Sequence, residues 1–300
     1  MSVIIRKLKA IRWSYIYHRN QRRYHDILPH VINSADTLRL IIDCGLSVSR
    51  YGDGEVCQIE GYNIGFSDFS EDLKNRLIEV AKLPVKNHLV CIPPQIRTTK
   101  GMRPYAREMW QAIFAFEIQT WINLFNSKRI YGSSSISRYY MDFIQREKNA
   151  KEIVDLWKRV WNGKDLLIVE GENSRLGVGN DLFDNARSIK RILCPAKNAY
   201  TSYDEIVNKT CEIYRGELIL AALGPTATVL AYDLAKRDMQ TIDIGHIDVE
   251  YEWYRRKAKH LMDIPTKAVN EVKGGLEVTD INSEEYTSQI VARVGVNGNV

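Results

Sequence analysis

The 300-residue sequence predicts an α/β fold, with a Rossmann-like, mostly parallel sheet and helices on both faces. From residue 165 onward, short apolar runs such as DLLIVEG and ELILAAL alternate with segments of helical periodicity. Strands that a parallel sheet buries on both faces have this continuous apolar character. Because 45% of the residues are hydrophobic, the chain also has enough apolar side chains for a large core.

The elements follow one another with recognisable boundaries. Ser70 is a typical N-cap, and the acidic residues and apolar 3.6-residue period after it predict a helix. Pro93 and Pro94 end a short apolar strand. The predicted strands cover 46–52, 88–94, 129–137, 165–172, 191–200, 216–222 and 239–253, and the predicted helices cover 34–43, 70–83, 102–125, 138–160, a segment following the loop at 174–183, and 225–238.

The composition divides the chain into three parts. We predict a basic N-terminal segment at residues 1–30, the α/β domain at 31–264, and a peripheral or partly mobile tail at 265–300 that is rich in Asn, Gly and Glu. The aromatic-rich helix at 102–125 is a candidate surface for a homodimer. Five scattered cysteines without a CxxC pair suggest free thiols in a reducing compartment.

The basic excess of the chain lies at its beginning. The net charge is +5, and residues 1–25 hold seven Lys or Arg residues, four interleaved aromatic residues and no acidic residue. Such a segment either contacts an anionic lipid surface or forms a solvated basic helix that packs its aromatic side chains on the body. No nucleic-acid recognition motif accompanies the charge. With no signal peptide or membrane span in the sequence, we expect a cytoplasmic protein, with peripheral attachment to the inner membrane face as an option.

The segment SRYGDGEVCQIEG is the most informative motif. Asp53 and Glu55 are separated by one residue, flanked by Gly52 and Gly54, and preceded by Arg50. On an extended backbone both carboxylates point to one side, where they would hold a hard divalent cation and leave positions open for diphosphate oxygens. The alternative is an acidic turn at the end of a strand.

Two further clusters follow predicted strands and are suited to phosphate. Ser174 and Arg175 begin a Gly-bearing loop that continues to Asn180 and Asp181, which either shape a ligand pocket or cap a helix. The sequence Gly224-Pro225-Thr226 opens a helix whose free N–H groups form an anion site. The chain has neither a P-loop nor a GxGxxG motif after a first strand.

The last cluster is HIDVEYE. If this segment is extended, its alternation places His246, Asp248, Glu250 and Glu252 on one face. Such a face supplies a general base or metal ligands, or else belongs to an exposed edge. Together, the four clusters describe metal-assisted transfer from a diphosphate-activated donor, for which a nucleotide sugar is the common type.

The runs RYGDGE, SSSISRYYMDF, VEGENSRLGVGNDLFDNARSIKRILCPAKNAY and LILAALGPTATVLAYDLAKRDMQTIDIGHIDVEYEW resemble the GT-D-type glycosyltransferases, a bacterial family formerly classed as a domain of unknown function. The resemblance covers about residues 46–254. It implies a distinct Rossmann-like fold, UDP-sugar donors with UDP-glucose typical, and a divalent ion, manganese or else magnesium, tied to an Asp-x-Glu motif. Asp53 and Glu55 occupy that motif. The family extends glycans of surface glycoproteins or extracellular polysaccharides.

These expectations assign a role to each cluster. Asp53 and Glu55 position the metal and the diphosphate or ribose, and one residue of the HIDVEYE segment deprotonates the acceptor, with a carboxylate favoured. We expect inversion at the anomeric carbon, although retention stays open, as does a UDP-sugar-binding or hydrolysing protein of the same fold. The expected donor-binding residues are Arg50, Gly52, Asp53, Glu55, Ser174, Arg175, Asn180, Asp181, Gly224, Pro225 and Thr226, and the base is one of His246, Asp248 and Glu250.

Overall fold

A computed structural model of the chain describes residues 3–296, and the predicted fold class is confirmed. Nine strands form one sheet in the order β1-β4-β3-β2-β8-β7-β5-β6-β9, and all neighbouring strands within the described residues are parallel. The strands are β1 His30–Val31, β2 Ser47–Arg50, β3 His88–Ile92, β4 Ile130–Ser133, β5 Asp165–Gly171, β6 Ser188–Cys194, β7 Leu218–Ala222, β8 Thr241–Asp243 and β9 Ile290–Arg293. The helices are α1 Val3–Arg23, α2 Ser34–Cys44, α3 Asp53–Ile59, α4 Glu71–Lys82, α5 Pro104–Phe116, α6 Ile118–Leu124, α7 Arg146–Trp161, α8 Tyr203–Ile213, α9 Pro225–Ala235, α10 Ile247–Arg255 and α11 Glu284–Gln289.

The two halves of the sheet meet where β2 pairs with β8. Val48 of β2 aligns with Leu89 of β3 on one side and with Ile242 of β8 on the other. The chain leaves β2 towards β3 and β4, whereas β8 is reached from the half that contains β5 and β7. In parallel sheets of this kind, ligands bind beyond the carboxyl ends of the strands where the strand order reverses. The topology therefore directs attention to the carboxyl ends of β2 and β8.

Alternating side chains of the strands form a core on each face of the sheet. Leu166 and Ile168 of β5 pack with the stacked rings of Trp157 and Trp161 from α7. The intervening residue Leu167 faces the opposite side and joins the core beneath α8 and α9. Successive side chains of a strand point to opposite faces, so a strand with both faces covered needs apolar residues throughout.

Local signals account for the helix boundaries that the sequence predicted correctly. Asn33 caps α2 by accepting a hydrogen bond from the N–H of Asp36 (2.9 Å), and Gly45 ends it with a left-handed φ of 62°. Ser70 caps α4 in the same way. Other boundaries were wrong: the helix predicted at 102–125 breaks at Glu117 into α5 and α6, the one predicted at 138 begins at 146, and the segment after 174 forms turns instead of a helix.

The basic N-terminal segment forms helix α1, which packs lengthwise on α5. Tyr17 is buried and donates its hydroxyl to the carbonyl of Gln95 (2.9 Å), and Asn20 donates to the carbonyl of Phe114 (3.1 Å). No helix among residues 3–296 is long and apolar enough to cross a membrane. The segment is thus fixed to the body through one face of the helix.

The tail is more closely integrated than a peripheral segment. Lys267 and Val269 are buried, and β9 pairs with β6 at the edge of the sheet. The N–H of Val269 donates to the carbonyl of Gly275 (2.6 Å), which closes a tight loop over the domain. The expectation of a peripheral tail is therefore wrong for these residues, although the predicted boundary at residue 264 stays a prediction.

We expect Gly132→Ala to destabilise the fold because a Cβ atom there would overlap the side chains of Cys91, Leu89 and Thr37 between β4 and α2. Overpacking of this kind costs about 1–3 kcal/mol of the free energy of unfolding, which urea titration measures. Gly65→Ala is the matched control, since a Cβ atom at Gly65 would meet no atom within 4 Å. Equal stability of the two variants would contradict the predicted overlap.

Candidate active site

An ion pair joins the carboxyl ends of β2 and β8. Arg50 donates from Nη2 to Oδ1 of Asp243 (2.7 Å), from Nε to its carbonyl (2.8 Å), and from Nη1 to the hydroxyl of Ser137 (2.7 Å). Asp243 is buried, and this burial raises the pKa of its carboxyl group although Arg50 opposes the rise. The guanidinium is thereby held in one orientation at the point where the two halves of the sheet meet.

The first turn of α9 is fastened to the same ion pair. Thr228 donates its hydroxyl to the carbonyl of Arg50 (2.9 Å) and lies 3.3 Å from Oδ2 of Asp243. Its own carbonyl accepts a hydrogen bond from the hydroxyl of Ser49 (2.6 Å). The predicted helix start is confirmed, because Gly224 is the N-cap and Pro225 the first helical residue. The N-terminus of α9 therefore lies beside Arg50 and Asp243.

Gly224 brings a loop close to the start of α9. Its φ of 56° is left-handed, and a Cβ atom there would overlap the ring of Phe66. Phe66 belongs to the loop between α3 and α4. Its backbone carbonyl accepts a hydrogen bond from the N–H of Asn198 (2.9 Å). Pro225 and Thr226, the first two residues of the helix, are buried. The anion-binding role of this helix start stays a prediction.

The Asp-x-Glu motif has a different geometry from the one predicted. Asp53 and Glu55 lie in the first turn of helix α3, where residues two positions apart do not share a face. The N–H of Gly52 donates to Oε2 of Glu55 (2.7 Å), so this carboxylate caps its own helix. The extended arrangement was expected because the motif directly follows a predicted strand, but a helix capped by Glu55 begins there instead.

The electrostatic environments of the two carboxylates differ. Burial and the nearby Asp243 carboxylate raise the pKa of Glu55 to about 7, against the opposing effects of the Gly52 N–H and Arg50. Asp53 is exposed and has no hydrogen bond or ion pair to another side chain within residues 3–296. Asp53 is therefore the carboxylate of the motif that is available to a ligand.

Three further residues, Arg138, His246 and Glu271, interact with one another at this site. Arg138, just after β4, pairs with Glu271 of the tail (2.5 Å), and His246 Nε2 lies 3.6 Å from the same carboxylate. Burial lowers the pKa of His246, so the ring is neutral near pH 7, although Glu271 opposes the shift. The Asp53 carboxylate raises the pKa of both Arg138 and His246 slightly, so it lies within electrostatic range of them. We name this set the β2/β8 cluster: Arg50, Asp53, Glu55, Arg138, Asp243, His246 and Glu271.

The segment after His246 is helical, so the predicted alternating strand at 246–252 is wrong. His246 is the N-cap of α10 and is partly accessible, whereas Asp248 and Glu250 are enclosed. Asp248 forms an ion pair with the buried Lys267, and it also accepts a hydrogen bond from Nδ2 of Asn180 (2.7 Å). Buried carboxylates need such partners, and the tail and the loop after β5 provide them.

Glu250 is fully buried below the β2/β8 cluster. Its Oε2 accepts hydrogen bonds from the N–H groups of Tyr140 (2.8 Å) and Met141 (3.0 Å), and its Oε1 lies 4.0 Å from Nη1 of Arg138. Burial raises the pKa of Glu250 to about 7, although Arg138 opposes the rise. Glu250 therefore holds the segment that follows Arg138 in place. In contrast to Glu250, the His246 side chain is partly accessible to solvent.

The loop after β5 holds the remaining predicted donor-binding residues, and most of them have structural partners. Arg175 adopts a φ of 47° and donates to the carbonyls of Thr266 (3.1 Å) and Thr279 (2.6 Å), which ties the loop to the tail. Asp181 accepts hydrogen bonds from Lys158 (2.9 Å) and from Tyr251 of α10 (2.9 Å). Of the two alternatives for Asn180 and Asp181, the helix cap is wrong, since no helix starts there, and the role in a ligand pocket stays a prediction. Both residues form hydrogen bonds with α10.

The structure brings Arg50, Gly52, Asp53, Glu55 and His246 together and leaves Ser174, Arg175, Asn180 and Asp181 in the loop after β5, two strands from β8. Three members of the β2/β8 cluster were missed by sequence reasoning. Asp243 ends the short strand TID and had a detectable signal, as a carboxylate at the end of a strand. Arg138 and Glu271 had none, because their pairing joins segments 133 positions apart.

We expect Gly245→Ala to disturb the central ion pair. Gly245 has a φ of 45°, and a Cβ atom there would overlap the guanidinium of Arg50. Gly163→Ala is the matched control, since Gly163 also has a positive φ (68°) but would meet no atom within 4 Å. The Gly245 variant should lose at least about 1 kcal/mol more of the free energy of unfolding than the control. Equal losses in urea titrations would show that Arg50 tolerates the methyl group.

Glu250→Gln should change how stability depends on pH. A carboxyl group whose pKa is raised by folding stabilises the protein fully at low pH and loses that contribution as the pH rises through about 7. Glutamine cannot ionise, so the variant should gain stability relative to the wild type between pH 5 and pH 8. Urea titrations at both pH values measure the difference. Glu60→Gln, at an exposed position, should follow the wild type at both values.

With this geometry established, the chain can be compared with known proteins. It matches the family model described as "Glycosyltransferase GT-D fold" over residues 48–272. It is 38% identical over 267 residues to "Probable glycosyl transferase Gly" of Streptococcus gordonii and 38% identical over 260 residues to "Glycosyltransferase GlyD" of Streptococcus pneumoniae serotype 4. These alignments cover 88% and 86% of this chain but only 39% and 32% of the relatives, which are longer proteins.

Solved structures are similar over nearly the whole chain. One, described as the highly conserved domain of unknown function 1792 with a distinct glycosyltransferase fold, has a TM-score of 0.87 and 38% identity and covers 93% of this chain and 100% of that one. Another, a new glycosyltransferase of the same domain type from Streptococcus sanguinis, has a TM-score of 0.84 and 36% identity over 89% of this chain and 100% of that one. The predicted resemblance is confirmed, and the chain belongs to the GT-D family of glycosyltransferases.

Proposed function

We propose that this chain transfers a hexose, with glucose as the first candidate, from a UDP-sugar to a glycan acceptor in the synthesis of a surface polysaccharide or of the glycan of a glycoprotein. The observation that carries the proposal is the β2/β8 cluster, which lies at the strand-order reversal of a GT-D fold. Ligands of parallel sheets bind at this position. The N-terminus of α9 beside Arg50 and Asp243 adds N–H groups suited to a diphosphate.

The charge balance of the cluster supports dependence on a divalent cation. Four carboxylates face two guanidinium groups, and His246 is neutral because burial lowers its pKa. Arg50 is already paired with Asp243, and Arg138 is paired with Glu271. A diphosphate that enters this surface without a cation would meet more negative than positive charge. We therefore infer that the donor binds together with Mn²⁺ or Mg²⁺.

The residues fit such a cation only in part before the donor arrives. No group of three or more His, Cys, Asp or Glu side chains within residues 3–296 is arranged to hold a metal ion. Mg²⁺ and similar ions are usually held by one or two carboxylates, with substrate phosphates and waters as the other ligands. Asp53 would supply the protein ligand, and Glu55 would assist when ionised. When bound, the cation would stabilise the negative charge of the departing diphosphate.

His246 is the candidate base that the geometry favours. Its ring is neutral and partly accessible, with Nε2 near Asn270 (3.2 Å) and Glu271 (3.6 Å). Asp248 and Glu250 are enclosed by their partners, so an acceptor hydroxyl would have to displace those partners to reach them. A neutral imidazole can take the proton from the hydroxyl group of the glycan acceptor, and a nearby carboxylate then stabilises the imidazolium. Single displacement with inversion suits this arrangement.

A thermal-shift titration tests the donor. We would compare UDP, UDP-glucose, UDP-galactose, GDP-mannose and S-adenosylmethionine, each with and without Mn²⁺. A ligand at a hundredfold excess over its dissociation constant stabilises the native state by about 2.7 kcal/mol, which is a measurable shift. A Mn²⁺-dependent shift with UDP ligands alone supports the proposal. No shift with any nucleotide would overturn it, and release of free hexose at full rate without an acceptor would instead indicate a hydrolase.

We expect Asp53→Asn to abolish the Mn²⁺-dependent part of UDP binding and to lower kcat/KM by about 100-fold or more. Asparagine keeps the size of the side chain but removes its charge. Glu60→Gln is the matched control because it removes one exposed carboxylate from the other end of helix α3, outside the β2/β8 cluster. Isothermal titration and donor-consumption assays measure the two effects. Wild-type values for Asp53→Asn would show that the cation is held elsewhere or is not needed.

A comparison of two variants, His246→Asn and Glu250→Gln, should show which residue is the catalytic base and which only holds the site in place. The His246 variant should lose kcat by about 100-fold while it keeps donor affinity, because the base acts only on the acceptor. The Glu250 variant should retain the pH dependence of kcat that the wild-type base produces. If the pH profile instead disappears in Glu250→Gln and persists in His246→Asn, Glu250 is the base.

A further inference from the structure

Helix α1 presents an apolar stripe to solvent. Leu8, Ile11 and Tyr15 are 61%, 66% and 67% exposed. Their spacing of three and four residues places them on one side of the helix. The buried residues Tyr17 and Asn20 fix the other side of the helix against α5. The attachment of α1 to the body therefore determines that this stripe faces outward.

Cationic side chains surround the stripe. The exposed basic residues of α1 include Lys7, Lys9, Arg12, Arg19, Arg22 and Arg23, and the sequence of segment 3–23 has no acidic residue. An apolar stripe with a cationic border is suited to the interface of an anionic bilayer, where the apolar side chains enter the acyl boundary and the basic ones contact phosphates. A second copy of the chain is a poor occupant, because its own basic border would be repelled.

A cationic cleft continues this surface beyond the end of the helix. It has a volume of about 440 Å³, is lined by Gln21, Arg22, His25, Leu28 and Arg97, and is separate from the β2/β8 cluster. Arg97 is held in place by hydrogen bonds to the carbonyls of Leu28 (2.5 Å) and Pro29 (2.6 Å). The positive surface therefore extends from the helix onto the body of the domain.

We propose that α1 docks this protein on an anionic phospholipid bilayer through Leu8, Ile11, Tyr15 and their basic neighbours. The helix is about 30 Å long at 1.5 Å per residue and lies along the bilayer surface. It is joined to the carboxyl edge of the sheet, since Tyr17 and Gln21 donate to the carbonyls of Gln95 and Ile96 (2.6 Å for Gln21), just after β3. If the proposed function holds, this placement brings the active site to acceptors that are carried on lipid.

Vesicle co-sedimentation of the full chain, without any donor, tests the docking. The wild type should bind vesicles of equal parts phosphatidylglycerol and phosphatidylcholine and should lose most of this binding in pure phosphatidylcholine or at 0.5 M salt. The double variant Leu8→Glu/Ile11→Glu should bind the anionic vesicles at least about tenfold more weakly. Leu83→Glu removes an exposed apolar side chain at the opposite edge and should bind like the wild type.

The controls make each outcome decisive. Thermal unfolding and UDP binding of the variants should match the wild type, because the changed residues lie outside the β2/β8 cluster and the core. Absence of wild-type binding to anionic vesicles, or equal binding by the double variant, would overturn the proposal. A dimer of the wild type that the double variant dissociates in sedimentation velocity would instead show that a second copy covers the stripe. Failure of UDP binding alone would refute the proposed function and leave the docking result intact.

Discussion

The ion pair between Arg50 and Asp243 is the interaction on which the site depends. It joins the two strands at which the halves of the sheet meet, and Asp243 is buried. Removal of one partner would leave the other charge buried and unpaired, which is strongly destabilising. Thr228 hydrogen-bonds to both residues and so fixes the first turn of α9 to the pair. One interaction thereby sets the relative position of β2, β8 and the start of α9, where we propose that the diphosphate binds.

The ion pairs of the cluster also determine how little net positive charge it offers to a diphosphate. Because Arg50 pairs with Asp243 and Arg138 pairs with Glu271, neither pair offers a net positive charge to a diphosphate. Asp53 remains exposed beside them, and Glu55, with a pKa near 7, changes its charge around neutral pH. We propose that a surface with this balance repels a nucleotide sugar alone and accepts one that arrives with a divalent cation. The proposed need for a cation rests on the pairing of the arginines more than on any preformed set of metal ligands.

Sequence reasoning succeeded where the signal was local. The apolar runs of β5 and β7, the caps of α2 and α4, and the Gly-Pro start of α9 are each set by neighbouring residues, and the structure has them where they were expected. It failed where distant partners decide. The alternation in HIDVEYE suits a strand, but Lys267, Asn180 and the N–H groups of Tyr140 and Met141 bind its carboxylates and make a buried helix stable. The hydrogen bonds of Arg175 to carbonyls of the tail likewise had no local signal, and its expected contact with a phosphate stays a prediction.

The carboxylates of α10 act as supports for the site, and this affects how their loss would be interpreted. Glu250 binds the N–H groups of the two residues that lie two and three positions after Arg138, and Arg138 in turn holds Glu271 beside His246. A change at Glu250 would therefore move the surroundings of His246 without any direct role in proton transfer. A loss of activity alone does not distinguish a base from such a support. The pH dependence of the reaction does, because replacing the group that accepts the proton removes its pKa from the kcat profile, whereas replacing a support leaves that pKa in place.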